Sequence, residues 1–130
     1  MRTIKFRAMR NNGKWVIGNY VHHFISYFDT IERHSIFLSK SENDNGGHWV
    51  EDIITKTIGQ FTGLYDKDGK EIYEGDILDF NGLTVEVRFV RGVFAFLANG
   101  DLDEELCGDC RTDLFAKVIG NIHDNPELLK

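Results

Sequence analysis

The sequence predicts a mainly β fold, α+β at most, made of short antiparallel strands with one or two short helices. Apolar and polar residues alternate with a period of two in segments such as Ile4–Ala8 and Thr84–Val90, which is typical of half-buried strands. Dipeptides that favour tight turns, including Asn81-Gly82 and Asn99-Gly100, separate these segments. A hydrophobic share of 42% with ten Phe indicates a folded globule rather than a disordered chain.

The N-terminal half begins with a predicted hairpin. Residues 4–8 form its first strand, Asn11-Asn12-Gly13 its turn and residues 15–21 its second strand. Residues 22–30 suit a loop or a strand, and residues 35–39 suit a short strand. Residues 49–58 are ambiguous, because their apolar positions fit a helical stripe about as well as broken strands.

The C-terminal half reads as a succession of short strands. Residues 77–80, 84–90 and 93–98 alternate and are separated by turn residues, which predicts a small SH3-like barrel. Asp101 is a candidate N-cap for a short acidic helix over residues 103–106. Residues 114–122 provide a last strand.

The length of 130 residues predicts a single domain, with a possible subdivision into an N-terminal β region, 1–58, and the small barrel, 59–130. No apolar run reaches the roughly eighteen residues of a membrane span. Basic residues interrupt any apolar start that a signal peptide would need. We therefore expect a cytoplasmic protein with no membrane contact.

The stretch from Phe61 to Leu78 is rich in acidic residues and glycine. It fails as a calcium-binding loop, because Lys70 stands where the fifth-position ligand should be. Glu74 and Asp76 flank a turn glycine, without the neighbouring histidine that would favour acid–base catalysis. We interpret the stretch as a structural turn motif, whose residues are Gly59, Gly63, Asp66, Gly69, Tyr73, Gly75 and Asp76.

Two cysteines, Cys107 and Cys110, form a single C-x-x-C, which is a weak metal signal when it occurs once. Reduced thiols, a metal site and a redox pair are all open, although the acidic neighbours oppose the thiolate that redox chemistry needs. The histidines show no HxH or HxxxH spacing, and nucleophile and phosphate-binding motifs are lacking. The expectation is a protein without enzymatic activity, cofactor or metal.

Basic residues are concentrated at the N-terminus, although the net charge of the chain is −6. An acidic total argues against general affinity for nucleic acid, but a local basic strand beside aromatic residues could still bind it. The candidate contact residues are Arg2, Lys5, Arg7, Arg10 and Lys14.

Four segments in order, MRTIKFRAM, KWVIGNY, TIGQFTGLYDKDGKEIYEGDIL and VIGNIHDNPELL, resemble the YopX family of phage and prophage proteins. The resemblance implies a small, largely β protein of the bacterial cytoplasm, and it implies no activity. We expect an accessory protein that binds a host or phage protein, with a nucleic-acid-binding module as the alternative. Because strand-rich modules commonly self-associate through their edges, we also expect a homo-oligomer.

Overall fold

The computed structural model describes residues 3–26, 30–38, 47–106 and 111–129. The chain divides into two compact units, residues 3–60 and 61–130, and each is described here by itself. Both are built from antiparallel strands, as the sequence predicts. The strands are β1 (Phe6–Arg10), β2 (Trp15–Ser26), β3 (Thr30–Leu38), β4 (His48–Val50), β5 (Ile53–Tyr65), β6 (Glu71–Tyr73), β7 (Asp76–Phe80), β8 (Leu83–Val90), β9 (Val93–Ala98) and β10 (Ala116–Asn121).

The first unit is a sheet in the order β4-β3-β2-β1-β5. Its β1–β2 hairpin confirms the predicted one, with Phe6 opposite Gly18 and Met9 opposite Trp15. Gly13 turns the chain with a φ of 85°, a conformation that glycine adopts without a steric penalty. The apolar core on one face of this sheet consists of Ala8, Ile36, Val50 and Ile53.

Of residues 22–30, for which the sequence allows a loop or a strand, residues 22–26 belong to β2 and Thr30 begins β3, while residues 27–29 lie outside the described residues. Eight cross-strand pairs join the two strands, from Asn19 opposite Phe37 to Ser26 opposite Thr30. Of residues 49–58, for which the sequence allows a helix or broken strands, residues 49–50 belong to β4 and residues 53–58 to β5. That strand pairs with β1 up to Gln60 and with β6 from Phe61 onward.

The second unit contains a four-stranded sheet in the order β10-β7-β8-β9. Its core consists of Ile72, Leu78, Val85, Val87, Phe96 and Ala116. No closed barrel is formed among the described residues, because β9 and β10 are both edge strands of this sheet. Asn81-Gly82 makes the predicted tight hairpin, with Phe80 opposite Leu83.

The helix predicted over residues 103–106 is wrong. That segment lies along the edge of β9, where Ala98 N–H donates to the Glu104 carbonyl and Leu106 N–H donates to the Phe96 carbonyl. Asp101 accepts a hydrogen bond from the Asp103 N–H in a turn instead of capping a helix. The hydrogen bonds to β9 thus stabilise residues 103–106 more than a helix of four residues would, because so short a helix is unstable by itself.

The described helices are short. Helix α1 covers Thr112–Phe115, so that the last strand begins at Ala116 and not at the predicted residue 114. A 3-10 helix covers Pro126–Leu128. In the part of the chain that the structure describes, no helix has the length and apolar character that a bilayer crossing requires.

Candidate functional site

The acidic stretch of the second unit is held together by its own carboxylates. Asp66 is buried, and its Oδ1 accepts hydrogen bonds from the N–H groups of Asp68 and Lys70, at 2.9 and 2.8 Å. Its Oδ2 accepts from the Val118 N–H at 3.0 Å. Asp66 therefore connects the β5–β6 turn to β10 through both of its carboxylate oxygens.

Asp76 is equally buried, and its Oδ2 accepts the Tyr73 N–H at 2.8 Å. Gly75, which lies between Tyr73 and Asp76 in the chain, has a φ of 92°. Its N–H donates to the Val87 carbonyl, and its own carbonyl accepts from the Ile122 N–H. Gly63 and Gly69 have φ values of 85° and 83°. Of the residues in the turn motif proposed from the sequence, Gly59 lies apart from these bends, within β5 and opposite Arg7.

The basic N-terminal residues do not share one surface. Arg7 lies on one face of the first sheet, with its guanidinium 4.8 Å from the Trp15 ring centroid. Arg10 lies on the opposite face and is ion-paired with Asp52, Nη2 to Oδ1 at 3.1 Å. Lys14 follows the hairpin turn and Lys5 precedes β1. Arg2 lies outside the described residues, as do Cys107 and Cys110.

A different group of side chains is brought together on β2 and β3. His22 and His34 are directly opposite in the register, and Glu32 lies two residues before His34, so all three side chains share one face. Glu32 Oε1 is 2.7 Å from His22 Nε2 and 3.0 Å from His34 Nε2. The two imidazole rings stack at a centroid distance of 4.3 Å. We call His22, Glu32 and His34 the histidine–glutamate cluster.

Tyr20 connects the histidine–glutamate cluster to the core of the first unit. Its hydroxyl lies 2.6 Å from His34 Nδ1, and its ring packs against Phe6 at 5.5 Å. Burial raises the pKa of the Tyr20 hydroxyl, and the negative charge of Glu32 raises it further. The hydroxyl therefore stays protonated at neutral pH and can hold one nitrogen of the His34 ring in a fixed direction.

An open pocket of about 390 Å³ adjoins the histidine–glutamate cluster. Glu32 and His34 line it together with Ile53 and Thr55, and the ion pair between Arg33 and Glu51 completes the lining. Exposed fractions of 38% for the His22 side chain, 51% for Glu32 and 23% for His34 leave the cluster accessible from solvent.

The sequence does not reveal this cluster, because His22 and His34 are twelve positions apart and adjacent only through strand register. Between Ser26 and Thr30 the sequence offers no glycine and only Asp29 as a turn former, so it does not indicate this pairing.

Comparison with known proteins identifies the family. A family model described as YopX protein matches residues 5–130, so the chain belongs to the YopX family. The crystal structure of protein EF1440 from Enterococcus faecalis is similar to this chain, at 27% sequence identity and a TM-score of 0.62 over 100% of both chains. No curated protein matches the chain. Membership supports a phage-type protein and brings no activity with it.

Proposed function

We propose that this chain is a non-enzymatic accessory protein of a phage or prophage, which acts in the bacterial cytoplasm by binding another protein. The observation that carries the proposal is the extension of β2 and β3 beyond the strands beside them. β1 pairs with β2 only up to Gly18, and β4 pairs with β3 only from Ile36 to Leu38. Residues 21–26 and 30–35 therefore pair only with each other among the described strands. We call these two segments the ribbon.

The ribbon has six cross-strand pairs, from Val21 opposite Ser35 to Ser26 opposite Thr30. At about 3.3 Å per residue its strands are about 20 Å long. A two-stranded ribbon is marginally stable in water by itself, and its outer edges present backbone donors and acceptors to a further strand. Strand addition to such an edge is a common way for a small β protein to bind a partner.

Two further observations support protein binding over the alternatives. The acidic stretch that could have formed a catalytic centre directs its two buried carboxylates, Asp66 and Asp76, at backbone N–H groups. For nucleic acid, the candidate basic residues are divided between faces, and Arg10 is partly neutralised by Asp52. Phosphate binding draws its affinity from clustered positive charge, which this division reduces.

The test is an affinity capture of the full chain from bacterial lysate, with and without nuclease, followed by binding measurements with the purified captured protein. A protein that survives nuclease and rebinds in pure form is the expected result. Hydrogen exchange should then show slower exchange of ribbon amides in the complex. Capture that is lost with nuclease would favour the nucleic-acid alternative, and an empty capture in both arms would contradict both.

A shortened ribbon supplies the matched variant. Replacing residues 25–31 with Asn-Gly joins Phe24 to Glu32, which are directly opposite in the register, through a two-residue turn. We expect this variant to keep its fold and to lose partner affinity at least about tenfold, roughly 1.4 kcal/mol. Val93→Ser, at an exposed hairpin end in the second unit, is the control and should bind normally. Unchanged affinity of the shortened variant would exclude the outer end of the ribbon, residues 25–26 and 30–31, as the binding surface.

Self-association through the ribbon is part of the same proposal. Light scattering of the purified chain should give a multiple of the 14.9 kDa chain mass. The shortened ribbon should return that mass to a single chain. A single-chain mass for the unmodified protein at high concentration would contradict a homo-oligomer.

A further inference from the structure

We infer that His22, Glu32 and His34 form a binding site for a divalent transition-metal ion, with Zn²⁺ as the best match to the donor set. This inference is independent of the protein-binding proposal. It rests on the position of three potential ligand atoms, which all lie within 4.8 Å of one another. Ligand atoms about 2.1 Å from a tetrahedral zinc are about 3.4 Å apart, so small side-chain movements suffice to bring these three around one ion.

The donor chemistry selects the metal. Two imidazole nitrogens and one carboxylate oxygen suit zinc and its neighbours in the transition series, whereas calcium and magnesium prefer sites made of oxygen alone. Zinc also imposes no geometric preference of its own, so it tolerates a site on the surface of a two-stranded ribbon. Three protein ligands leave a fourth position, which faces solvent and would take a water molecule or a partner side chain.

The stacked rings define the movement that binding requires. His22 and His34 are within 12° of parallel, and each nitrogen lone pair lies in the plane of its ring. The His22 ring must therefore rotate about its Cβ–Cγ bond to point its Nε2 at an ion shared with His34. This rotation is cheap, because that torsion is broad in histidine and His22 lies on the exposed side of the cluster.

Tyr20 is a positioning residue for this site. Zinc on His34 Nε2 leaves the proton on Nδ1, which lies 2.6 Å from the Tyr20 oxygen and can donate to it. Metal-bound histidines usually donate the second ring N–H in this way, and the contact fixes the ring direction. Because Tyr20 packs on Phe6 and borders the core, its hydroxyl is anchored before any ion arrives.

The ion would connect the two strands of the ribbon at its base, since His22 belongs to β2 while Glu32 and His34 belong to β3. Binding should therefore stabilise the ribbon against separation of its strands. The measurable consequence is slower hydrogen exchange of the ribbon amides and a higher thermal midpoint of the metal-loaded protein.

The experiment is a zinc titration of the full chain with Cys107→Ser and Cys110→Ser, which removes the competing thiols. We expect one Zn²⁺ per chain. Adding His22→Gln to this background should lower the zinc affinity at least about tenfold, as the loss of a ligand or its support does in known sites. His48→Gln is the control, because His48 is outside the cluster, and it should leave the affinity unchanged.

Circular dichroism and the thermal midpoint without metal show whether the His22→Gln variant keeps the fold, as its exposed position predicts. Bound Co²⁺ should give the absorption of a nitrogen- and oxygen-ligated tetrahedral site. Absence of zinc binding in the cysteine-free protein would overturn the inference. So would a folded His22→Gln variant that binds zinc as tightly as its parent.

Discussion

Two carboxylates in this molecule, Asp66 in the second unit and Glu32 in the first, have opposite surroundings. Asp66 is buried, and both of its oxygens accept hydrogen bonds from backbone N–H groups. Glu32 is half exposed, and its Oε1 contacts two histidine side chains. A backbone N–H has no lone pair for a cation, whereas the neutral imidazole ring has one nitrogen that can bind a metal ion. Asp66 therefore stabilises the fold, whereas Glu32 is available to a ligand.

The largest expected effect is that of Asp66→Ala. The substitution leaves the N–H groups of Asp68, Lys70 and Val118 without their acceptor. Hydrogen bonds to a charged group contribute about 1.5–3 kcal/mol each in isolation but are not additive, so we expect a loss of about 2–4 kcal/mol in the free energy of unfolding. Urea denaturation measures this loss.

Asp68→Ala is the matched control for that substitution, because Asp68 is exposed and two residues away. It should change the free energy of unfolding by no more than about 0.5 kcal/mol. Equal losses in the two variants would mean that charge in the turn, rather than the buried carboxylate, stabilises the second unit.

Gly75→Val should have the next largest effect. Gly75 is buried and has a φ of 92°, where a β-branched side chain is strained by about 1–3 kcal/mol. Gly82 has a φ of 90° but open surroundings, so Gly82→Val isolates the backbone strain. We expect Gly75→Val to lower the urea midpoint further than Gly82→Val does. The opposite order would show that burial at Gly75 adds no cost.

The sequence predicts those features of the fold that depend on neighbouring residues. The first hairpin follows from alternation and Asn11-Asn12-Gly13, and the β7–β8 hairpin follows from Asn81-Gly82. Residues 49–58 are ambiguous in the sequence because β3 and β1 place them. The helix predicted over residues 103–106 is wrong because that segment pairs with the edge of β9. Local propensity carries no information about such partners.

The candidate site could not be predicted from the sequence, because its residues are brought together by strand pairing and not by a local motif. Turn chemistry is local, so the positions of Asp66, Gly69 and Gly75 can be read from one continuous segment. The histidine–glutamate cluster instead depends on the register of β2 against β3. A shift of the pairing by one residue would move His34 to the opposite face from His22.

Tyr20→Phe tests how far metal binding by the histidine–glutamate cluster depends on the contact between the Tyr20 hydroxyl and His34. The variant keeps the ring that packs on Phe6 and removes only the contact with His34 Nδ1. We expect zinc affinity to fall about tenfold, and the absorption of bound Co²⁺ to change as the His34 ring loses its orientation. The thermal midpoint without metal should stay nearly constant, which a purely structural role for the hydroxyl would not allow. Tyr65→Phe, an exposed tyrosine of the second unit, is the control.

Acidification should give the smallest effect and acts on Asp66. Burial alone would raise the pKa of this carboxyl, but the N–H groups of Val118, Lys70 and Asp68, with the charge of Lys70, lower it below the ordinary 3.8. A lowered folded-state pKa means that the stabilisation by the Asp66 carboxylate is complete above the ordinary pKa and is lost as the pH falls through the folded-state pKa.

Asp66→Asn lacks this contribution at every pH. The gap in unfolding free energy between the native chain and Asp66→Asn should therefore narrow between about pH 5 and about pH 3, because the carboxyl of the unfolded chain takes up a proton there more readily than the native one does. A gap that widens on acidification would mean that the backbone donors do not outweigh burial, and the contrast between Asp66 and Glu32 would then lose its physical basis.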